Sequence, residues 1–276
     1  MPYIKRIVKA GNTVEVKKYF TSRFGKKDID SRSAKASETS EKMKKVNEEN
    51  ATEKLRWLIN GNFSAGDIHM VLTYDDDHLP DTEGAKESIR KYMRKLRKAY
   101  KEQGKELKYI KTAEYEGKRI HHHILVNKID TQILDELWEE GHVYFRILDN
   151  SGEYSKLASY FVKETSKTYA DGLISGKRWD ASKNLKKPEI TKVIVPADSW
   201  TKNPVPLKGY YIPSDSIETD VDSFGYAYQK YTMIKIQEKK GKKIGKHSGD
   251  NGTAMRRPGD KSYPDGDKDN LDNRCR

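Results

Sequence analysis

Alternating hydrophobic and polar residues recur in several short stretches of the chain. Over residues 68–74, Ile, Met, Leu and Tyr alternate with other residues, which predicts a half-buried strand ending before the aspartates at 75–77. A tight turn at Glu116-Gly117 predicts that the two strands on either side form a hairpin. The same alternation predicts strands over residues 3–8, 13–19, 107–115, 119–127, 142–148 and 190–195.

Hydrophobic residues at helical spacing predict helices between these strands. The first is a polar helix over about residues 31–59, which Asn60-Gly61-Asn62 is expected to stop. Hairpin-linked strands with helices in the longer connections favour an α+β fold, with a central, mainly antiparallel sheet and helices on one face. The other helices are predicted over residues 82–103, 131–140 and 153–167.

Composition divides the chain into four expected parts. Residues 1–60 hold a hairpin and the polar helix, and residues 61–195 hold the alternating strands and helices. Residues 196–237 are rich in proline and aromatic residues, which predicts an arm packed on the core. Residues 238–276 have almost no apolar side chains and are expected to be a disordered basic tail.

The charge of the chain indicates its class of partner. The 276 residues carry a formal net charge of +12, which favours polyanions such as nucleic acid. The single cysteine, Cys275, excludes an intramolecular disulfide and a cysteine-based zinc site, so a reducing cytoplasm is the expected location. No apolar run approaches the roughly 20 residues of a membrane-spanning helix, so no membrane partner is expected.

Three consecutive histidines lie in the second strand of the predicted hairpin. Because side chains on a strand alternate between faces, His121 and His123 share one face, about 7 Å apart, while His122 joins an aliphatic row and is expected in the core. Two imidazoles at this spacing can converge on one divalent ion. The alternative is a polar patch on a strand, because short histidine clusters are common without a metal.

The hairpin brings a carboxylate beside these histidines. A two-residue turn at Glu116-Gly117 would pair Glu114 with Arg119 and Thr112 with His121. Glu114 would then be diagonal to His121 on the same face and is the natural third ligand. His69, on a neighbouring strand, is a weaker candidate, since a lone histidine is more often structural.

The last predicted helix carries a tyrosine on a cationic stripe. A phenol is a poor nucleophile at neutral pH, and nearby ammonium groups favour its ionised form and also hold phosphates. Taken alone, Tyr160 fits better as a boundary residue on a lysine-rich surface. Its position after the histidine strand favours a nucleophile. The stripe contains Lys156, Tyr160, Lys163 and Lys167, and the apolar side contains Leu157, Ala158, Phe161 and Val162.

The order of these motifs resembles the HUH endonuclease superfamily, specifically the replication initiators of rolling-circle phages, plasmids and integrative elements. In that family a strand carries His-hydrophobe-His and a later helix carries Tyr-x-x-Lys, as residues 119–126 and 160–163 do here. Residues 71–75, Val-Leu-Thr-Tyr-Asp, resemble the family's first motif, and residues 113–115, Ala-Glu-Tyr, resemble the form that precedes the histidines. The resemblance covers about residues 67–167.

This resemblance implies a ferredoxin-like or RRM-like nuclease core and a specific chemistry. It implies that His121, His123 and Glu114 bind Mg²⁺ or Mn²⁺, that Tyr160 forms a 5′-phosphotyrosine bond, and that Lys163 assists at the phosphate. The protein would nick and rejoin single-stranded or extruded origin DNA, with helicase and polymerase supplied by the host or a partner. Further contacts to DNA are expected from Arg119, Lys156 and Lys167.

Two features depart from the family pattern, and other functions stay open. His122 stands where a bulky apolar residue is usual, and Lys156 or Glu164 stands where a second tyrosine is often found, so a single-tyrosine enzyme is expected. A relaxase or transposase of the same superfamily is one alternative, although relaxases usually place the tyrosine before the histidine strand. A non-catalytic nucleic-acid-binding protein with a vestigial site is another. A hydrolase of small phosphoesters is disfavoured by the charge.

Overall fold

The structure is a computed structural model that describes residues 3–21, 41–116, 119–170, 178–196, 200–222 and 225–237. Within these ranges only the backbone is described for Lys42, His78, Glu116 and residues 166–170. Residues 1–237 form one unit and residues 238–276 a second, so the tail predicted from composition lies outside the described residues.

Strands and helices occur close to the predicted places. The helices are α1 (Glu41–Asn62), α2 (Thr82–Glu102), α3 (Thr131–Glu136) and α4 (Ser155–Ala170), with short 3₁₀ turns at Asp76–His78 and Ser214–Ser216. The strands are β1 (Tyr3–Ala10), β2 (Thr13–Phe20), β3 (Ile68–Leu72), β4 (Tyr109–Glu116), β5 (Arg119–Val126), β6 (Val143–Ile147), β7 (Asp180–Ala181), β8 (Glu189–Val195), β9 (Tyr210–Tyr211), β10 (Glu218–Val221) and β11 (Ala227–Lys235). No helix in the described ranges is long and apolar enough to cross a membrane.

A five-stranded antiparallel sheet forms the centre of the fold, in the order β6-β3-β5-β4-β7. Its strands alternate as the sequence predicts, so Ile120 and Ile124 of β5 pack with α2, α3 and Trp138 on one face. On the other face, Leu125 and Ile110 pack with α1 and α4. The α+β class is confirmed, but helices cover both faces, because the apolar sides of α1 and α4 pack on the face opposite α2.

A second antiparallel sheet has the order β10-β11-β2-β1-β8, with β9 paired to β11. The N-terminal hairpin is its centre, and β9, β10 and β11 come from the stretch predicted to be an irregular arm. Apolar residues of both segments pack together, among them Val14, Val16, Tyr231 and Met233. The sequence of 196–237 alternates too irregularly to reveal these strands. Their link to the hairpin is the pairing of β11 with β2, about 200 residues earlier in the chain.

Helix α1 connects the two sheets and runs further than predicted. The helix continues past Asn60, whose buried side chain is hydrogen-bonded to residues outside the helix. Its amide group donates to Thr13 Oγ1 at 3.2 Å, and its oxygen accepts from the Tyr154 N–H at 2.9 Å. Polar bonds to the hairpin also hold α1, since Arg56 pairs with Glu15. At the other end of the fold α3 is shorter than predicted and stops at Glu136.

Gly11, in the β1–β2 turn, is expected to be one of the least replaceable residues of the scaffold. Its φ is +58°, and a Cβ there would lie 1.9 Å from the Asn60 carbonyl oxygen. Gly104 has a similar φ of +66° but no atom within 4 Å of a Cβ. Gly104→Ala should therefore lower the free energy of unfolding by about 1 kcal/mol, and Gly11→Ala by about 3 kcal/mol. Urea unfolding of both variants checks this, and equal losses would contradict the close contact.

Candidate active site

The β4–β5 hairpin places one carboxylate directly beside the histidines. Glu114 pairs with His121 and Thr112 with His123, so the register predicted from a turn at Glu116-Gly117 is wrong by two residues. The physical reason is that Glu116 belongs to β4 and pairs with Arg119 rather than forming the turn, so the chain reverses one residue later than predicted. A shift of two residues keeps every side chain on its face, so Glu114 remains with His121 and His123.

His123 and Glu114 form a buried pair. The His123 side chain is 2% exposed, and its Nε2 lies 2.9 Å from Oε2 of Glu114. His122, as predicted from the alternation, points to the opposite face and is hydrogen-bonded to the Tyr74 hydroxyl at 2.9 Å. The three adjacent histidines therefore divide into two that face the candidate site and one that belongs to the core.

Glu114 is held ionised by its neighbours. Burial opposes the charge of this carboxylate, but hydrogen bonds with His123 and Glu164, together with the charges of His123 and His121, lower its pKa to about 2. A carboxylate with this pKa is a permanent anion at neutral pH. The hairpin thus supplies a fixed negative charge beside two imidazole rings.

Tyr160 of α4 reaches the same place from above the sheet. Ala158, Phe161 and Val162 of this helix are buried, as predicted, while Tyr160 is 41% exposed. The centroid of its ring lies 5.3 Å from that of His123, and the two rings are nearly perpendicular at 82°. One side of the phenol therefore packs on the histidine strand, and the rest faces solvent.

His69 also lies beneath Tyr160, on the strand next to His123. It lies on β3 opposite Leu125, and its ring centroid is 5.8 Å from that of His123 and 6.3 Å from that of Tyr160. Burial, followed by His123 and Arg146, lowers its pKa to about 3, so the ring is neutral at physiological pH. His69 therefore lies on the same face of the sheet as His123, and its role stays a prediction.

Glu164 is a residue of this site that the sequence did not single out as functional. It lies one helical turn after Tyr160, and its carboxyl group, when protonated, donates a hydrogen bond to the Glu114 carboxylate. The spacing of four residues between Tyr160 and Glu164 puts both on one side of α4, which is the signal that could have identified it. In the sequence this position is notable only as a place where the resembling family often carries a second tyrosine.

The predicted DNA-contacting cations have different surroundings. Lys156 and Lys163 are exposed on α4 beside Tyr160, and Arg119 is exposed at the start of β5, where it pairs with Asp76 at 2.8 Å. The side chain of Lys167 lies outside the described residues. Whether these four residues contact DNA stays a prediction.

Tyr154 is excluded as a second nucleophile by its burial. It is 5% exposed, and its hydroxyl donates to the Asp149 carbonyl oxygen at 2.9 Å. Burial raises its pKa to about 12, which disfavours the phenolate. Among the α4 side chains that the structure describes, residues 155–165, the tyrosine is Tyr160, and it is exposed.

The donor atoms around His123 suit a divalent metal chemically, but their side chains do not converge as they lie. Among the residues described, no group of three or more His, Cys, Asp or Glu side chains is arranged to hold an ion. The His123–Glu114 hydrogen bond joins two atoms of the kind that would ligate it. Nδ1 of His123 and Nε2 of His69 are buried without a hydrogen-bond partner in the same ranges, so the site has unused polar capacity.

Comparison with known proteins identifies one family in this region. Residues 67–169 match the sequence model of a family described as replication-associated protein ORF2/G2P. The match covers well under half of the chain, but it runs from the residue before β3 into α4 and so includes the whole candidate site. No curated protein and no solved structure matches the chain significantly. The site therefore lies in a segment similar to replication-associated proteins, and this similarity supports a role in DNA replication.

Proposed function

We propose that the protein is a rolling-circle replication initiator that nicks and rejoins single-stranded or extruded origin DNA through Tyr160. The observation that carries the proposal is the packing of the Tyr160 ring against His123, which is itself paired with Glu114. An exposed phenol, two imidazoles and a carboxylate are brought together from three separate elements of the fold. The similarity of residues 67–169 to replication-associated proteins supports the same function.

The nicking step is a transesterification, in which the phosphate is transferred from a 3′ oxygen of the DNA to the tyrosine oxygen. The Tyr160 oxygen attacks the scissile phosphorus in line, forming a tyrosine–phosphate ester while the bond to the 3′ oxygen breaks. The phenolic proton leaves with the attack, and the departing 3′ oxygen takes up a proton. The 5′-phosphotyrosine keeps the energy of the broken ester, so attack by a 3′-hydroxyl can reverse the step and rejoin the strand.

The chain's own residues have distinct roles in this step. His121, His123 and Glu114 would hold Mg²⁺ or Mn²⁺, which when bound supplies a Lewis acid for the phosphate oxygen. His69 orients His123 by ring packing, and Glu164 orients Glu114 by its hydrogen bond. Lys163 and Lys156 bind phosphates and favour the phenolate, because a cation stabilises a nearby anion.

Contacts away from the scissile phosphate would be electrostatic. Arg119 and Lys167 are the further candidates near the site, and each phosphate neutralised by a cation makes binding more sensitive to salt. The cations of α2 face the opposite side of the sheet from Tyr160, because α2 packs on Ile120 and Ile124. They would serve DNA remote from the nick. Strand separation and extension of the released 3′-hydroxyl are assigned to a host or partner helicase and polymerase.

Two other functions are the alternatives, and the adduct experiment below separates the non-catalytic one from the initiator, while a relaxase or transposase would give the same adduct. A relaxase or transposase would share the chemistry, although in this chain the tyrosine helix follows the histidine strand. A non-catalytic DNA-binding protein is favoured by the lack of three converging donors within the described ranges.

The discriminating experiment incubates the protein with labelled single-stranded oligonucleotides and Mn²⁺ and looks for an adduct that resists denaturation. An adduct that requires Mn²⁺ and disappears with chelator supports the initiator. A protein that binds DNA equally well with chelator and forms no adduct is a binding protein instead. Oligonucleotides carrying inverted repeats with unpaired tips provide the extruded form of the substrate.

A further inference from the structure

Strand β6 lies at the edge of the central sheet and presents two side chains beside the candidate site. Tyr144 pairs with Val71 of β3, which in turn pairs with His123. Arg146 pairs with His69 in the same way. Residues opposite each other in neighbouring strands share a face, so Tyr144 and Arg146 point to the same side as the histidines and Tyr160.

This half of the sheet face is open in the described structure. Helices α1 and α4 cover β4 and β5, where Ile110 and Leu125 are buried. On β6, by contrast, Tyr144 is 58% exposed and Arg146 is also exposed. Val143 and Phe145, which alternate with them along the strand, pack on the opposite face. Neither the Tyr144 nor the Arg146 side chain makes a hydrogen bond or ion pair with another described residue. The core does not use either side chain.

We propose that Tyr144 and Arg146 form a subsite for single-stranded DNA next to the scissile phosphate, with Tyr144 stacking on a base and Arg146 pairing with a phosphate. An exposed aromatic ring next to a cation is the combination that binds single strands, because every base offers a face for stacking. The net charge of +12 favours DNA, which carries one negative charge per nucleotide, over a protein partner as the occupant of this surface. The subsite rests on the proposed function, which supplies the DNA at Tyr160.

The spacing of the strands suits this arrangement. Adjacent strands are about 4.8 Å apart, so Tyr144 is roughly 10 Å from His123 across the sheet. A stacked strand rises about 3.4 Å per nucleotide, so Tyr144 would meet a base one to three nucleotides from the scissile phosphate. Arg146 lies two residues from Tyr144 on the same strand, opposite His69, whose ring centroid is 6.3 Å from that of Tyr160. A DNA strand that runs from Tyr160 across β3 to the edge strand β6 would contact Tyr160, Arg146 and Tyr144.

The test measures the affinity of a fluorescein-labelled oligothymidine by anisotropy, with the full chain and no metal. Tyr144→Ala should weaken binding about tenfold or more, and Tyr144→Phe should bind like the parent, since the ring is kept. Arg146→Ala should weaken binding and reduce the slope of log affinity against log salt by about 0.7, whereas Tyr144→Ala should leave that slope unchanged. The matched control is Tyr211→Ala, at a tyrosine that is 47% exposed in the other sheet and should not matter.

The proposal is overturned if Tyr144→Ala binds like the parent, or if Tyr211→Ala loses as much affinity. All the substituted residues are exposed, so thermal unfolding should be the same in each variant and folding does not confuse the comparison. Adduct formation with Mn²⁺ is scored separately. If the parent forms an adduct and Tyr144→Ala binds DNA normally, the subsite is rejected and the initiator function is kept. If the parent forms no adduct but Tyr144→Ala loses affinity while Tyr211→Ala does not, the subsite is kept and the initiator function is rejected.

Discussion

Replacing Tyr160 with phenylalanine is expected to abolish the covalent DNA adduct and to reduce nicking by a factor on the order of 10³ or more. The substitution removes only the attacking oxygen. The ring contacts with His123 and Phe161 do not need the hydroxyl, so the fold and DNA affinity should be retained. Gel analysis of denatured protein with labelled single-stranded DNA measures the adduct, and anisotropy measures binding.

Tyr154→Phe is the matched control, in the turn before the same helix. It removes a buried hydroxyl that donates to Asp149, so it should cost about 1 kcal/mol of stability while leaving the adduct intact. An adduct of normal yield in Tyr160→Phe would show that another nucleophile acts. Loss of the adduct in Tyr154→Phe at a temperature where that variant is folded would show the same.

His121→Ala is expected to weaken Mn²⁺ binding about 100-fold or more, since loss of even an indirect partner of a metal commonly costs 10- to 100-fold. His121 is only partly exposed but lies outside the apolar clusters, so its removal leaves the packing of β5 unchanged. Titration calorimetry or the Mn²⁺ paramagnetic signal measures the affinity without reference to activity.

The control for this prediction is His142→Ala. The His142 side chain is 75% exposed, near Asp75 and close to the start of β6, and should not contribute a ligand. Equal Mn²⁺ affinity in His121→Ala and the parent would remove His121 from the proposed metal site. A parent protein that binds no Mn²⁺ would reject the site as a whole and leave the tyrosine chemistry to be tested alone.

The faces of the histidine strand could be predicted from the sequence, but its register could not. The side chains of a strand alternate between its two faces, so a register error of two residues leaves His121, His123 and Glu114 on one face, as the structure shows. The register depends on which two residues form the connection. In the stretch Glu116-Gly117-Lys118, a turn one residue earlier or later is equally compatible with the composition.

Contacts between distant segments were the part that the sequence could not supply. The helix period predicted which side of α4 is apolar, but not that Glu164 would be hydrogen-bonded to Glu114 on a strand fifty residues earlier. Strand β11 pairs with β9 and with β2 of the N-terminal hairpin, and apolar side chains of both segments are buried together. Local patterns carry no information on such partners.

The most direct test of the central claim is to map where DNA becomes attached. Protein treated with a single-stranded oligonucleotide and Mn²⁺ is digested with nuclease and trypsin, and the modified peptide is sequenced by mass spectrometry. Cleavage after Lys156 and Lys163 releases residues 157–163, Leu-Ala-Ser-Tyr-Phe-Val-Lys. A nucleotide joined through its 5′-phosphate to the Tyr160 oxygen of this peptide is the predicted result. Attachment at Ser159, at Tyr154 in the preceding peptide, or at no residue would contradict it.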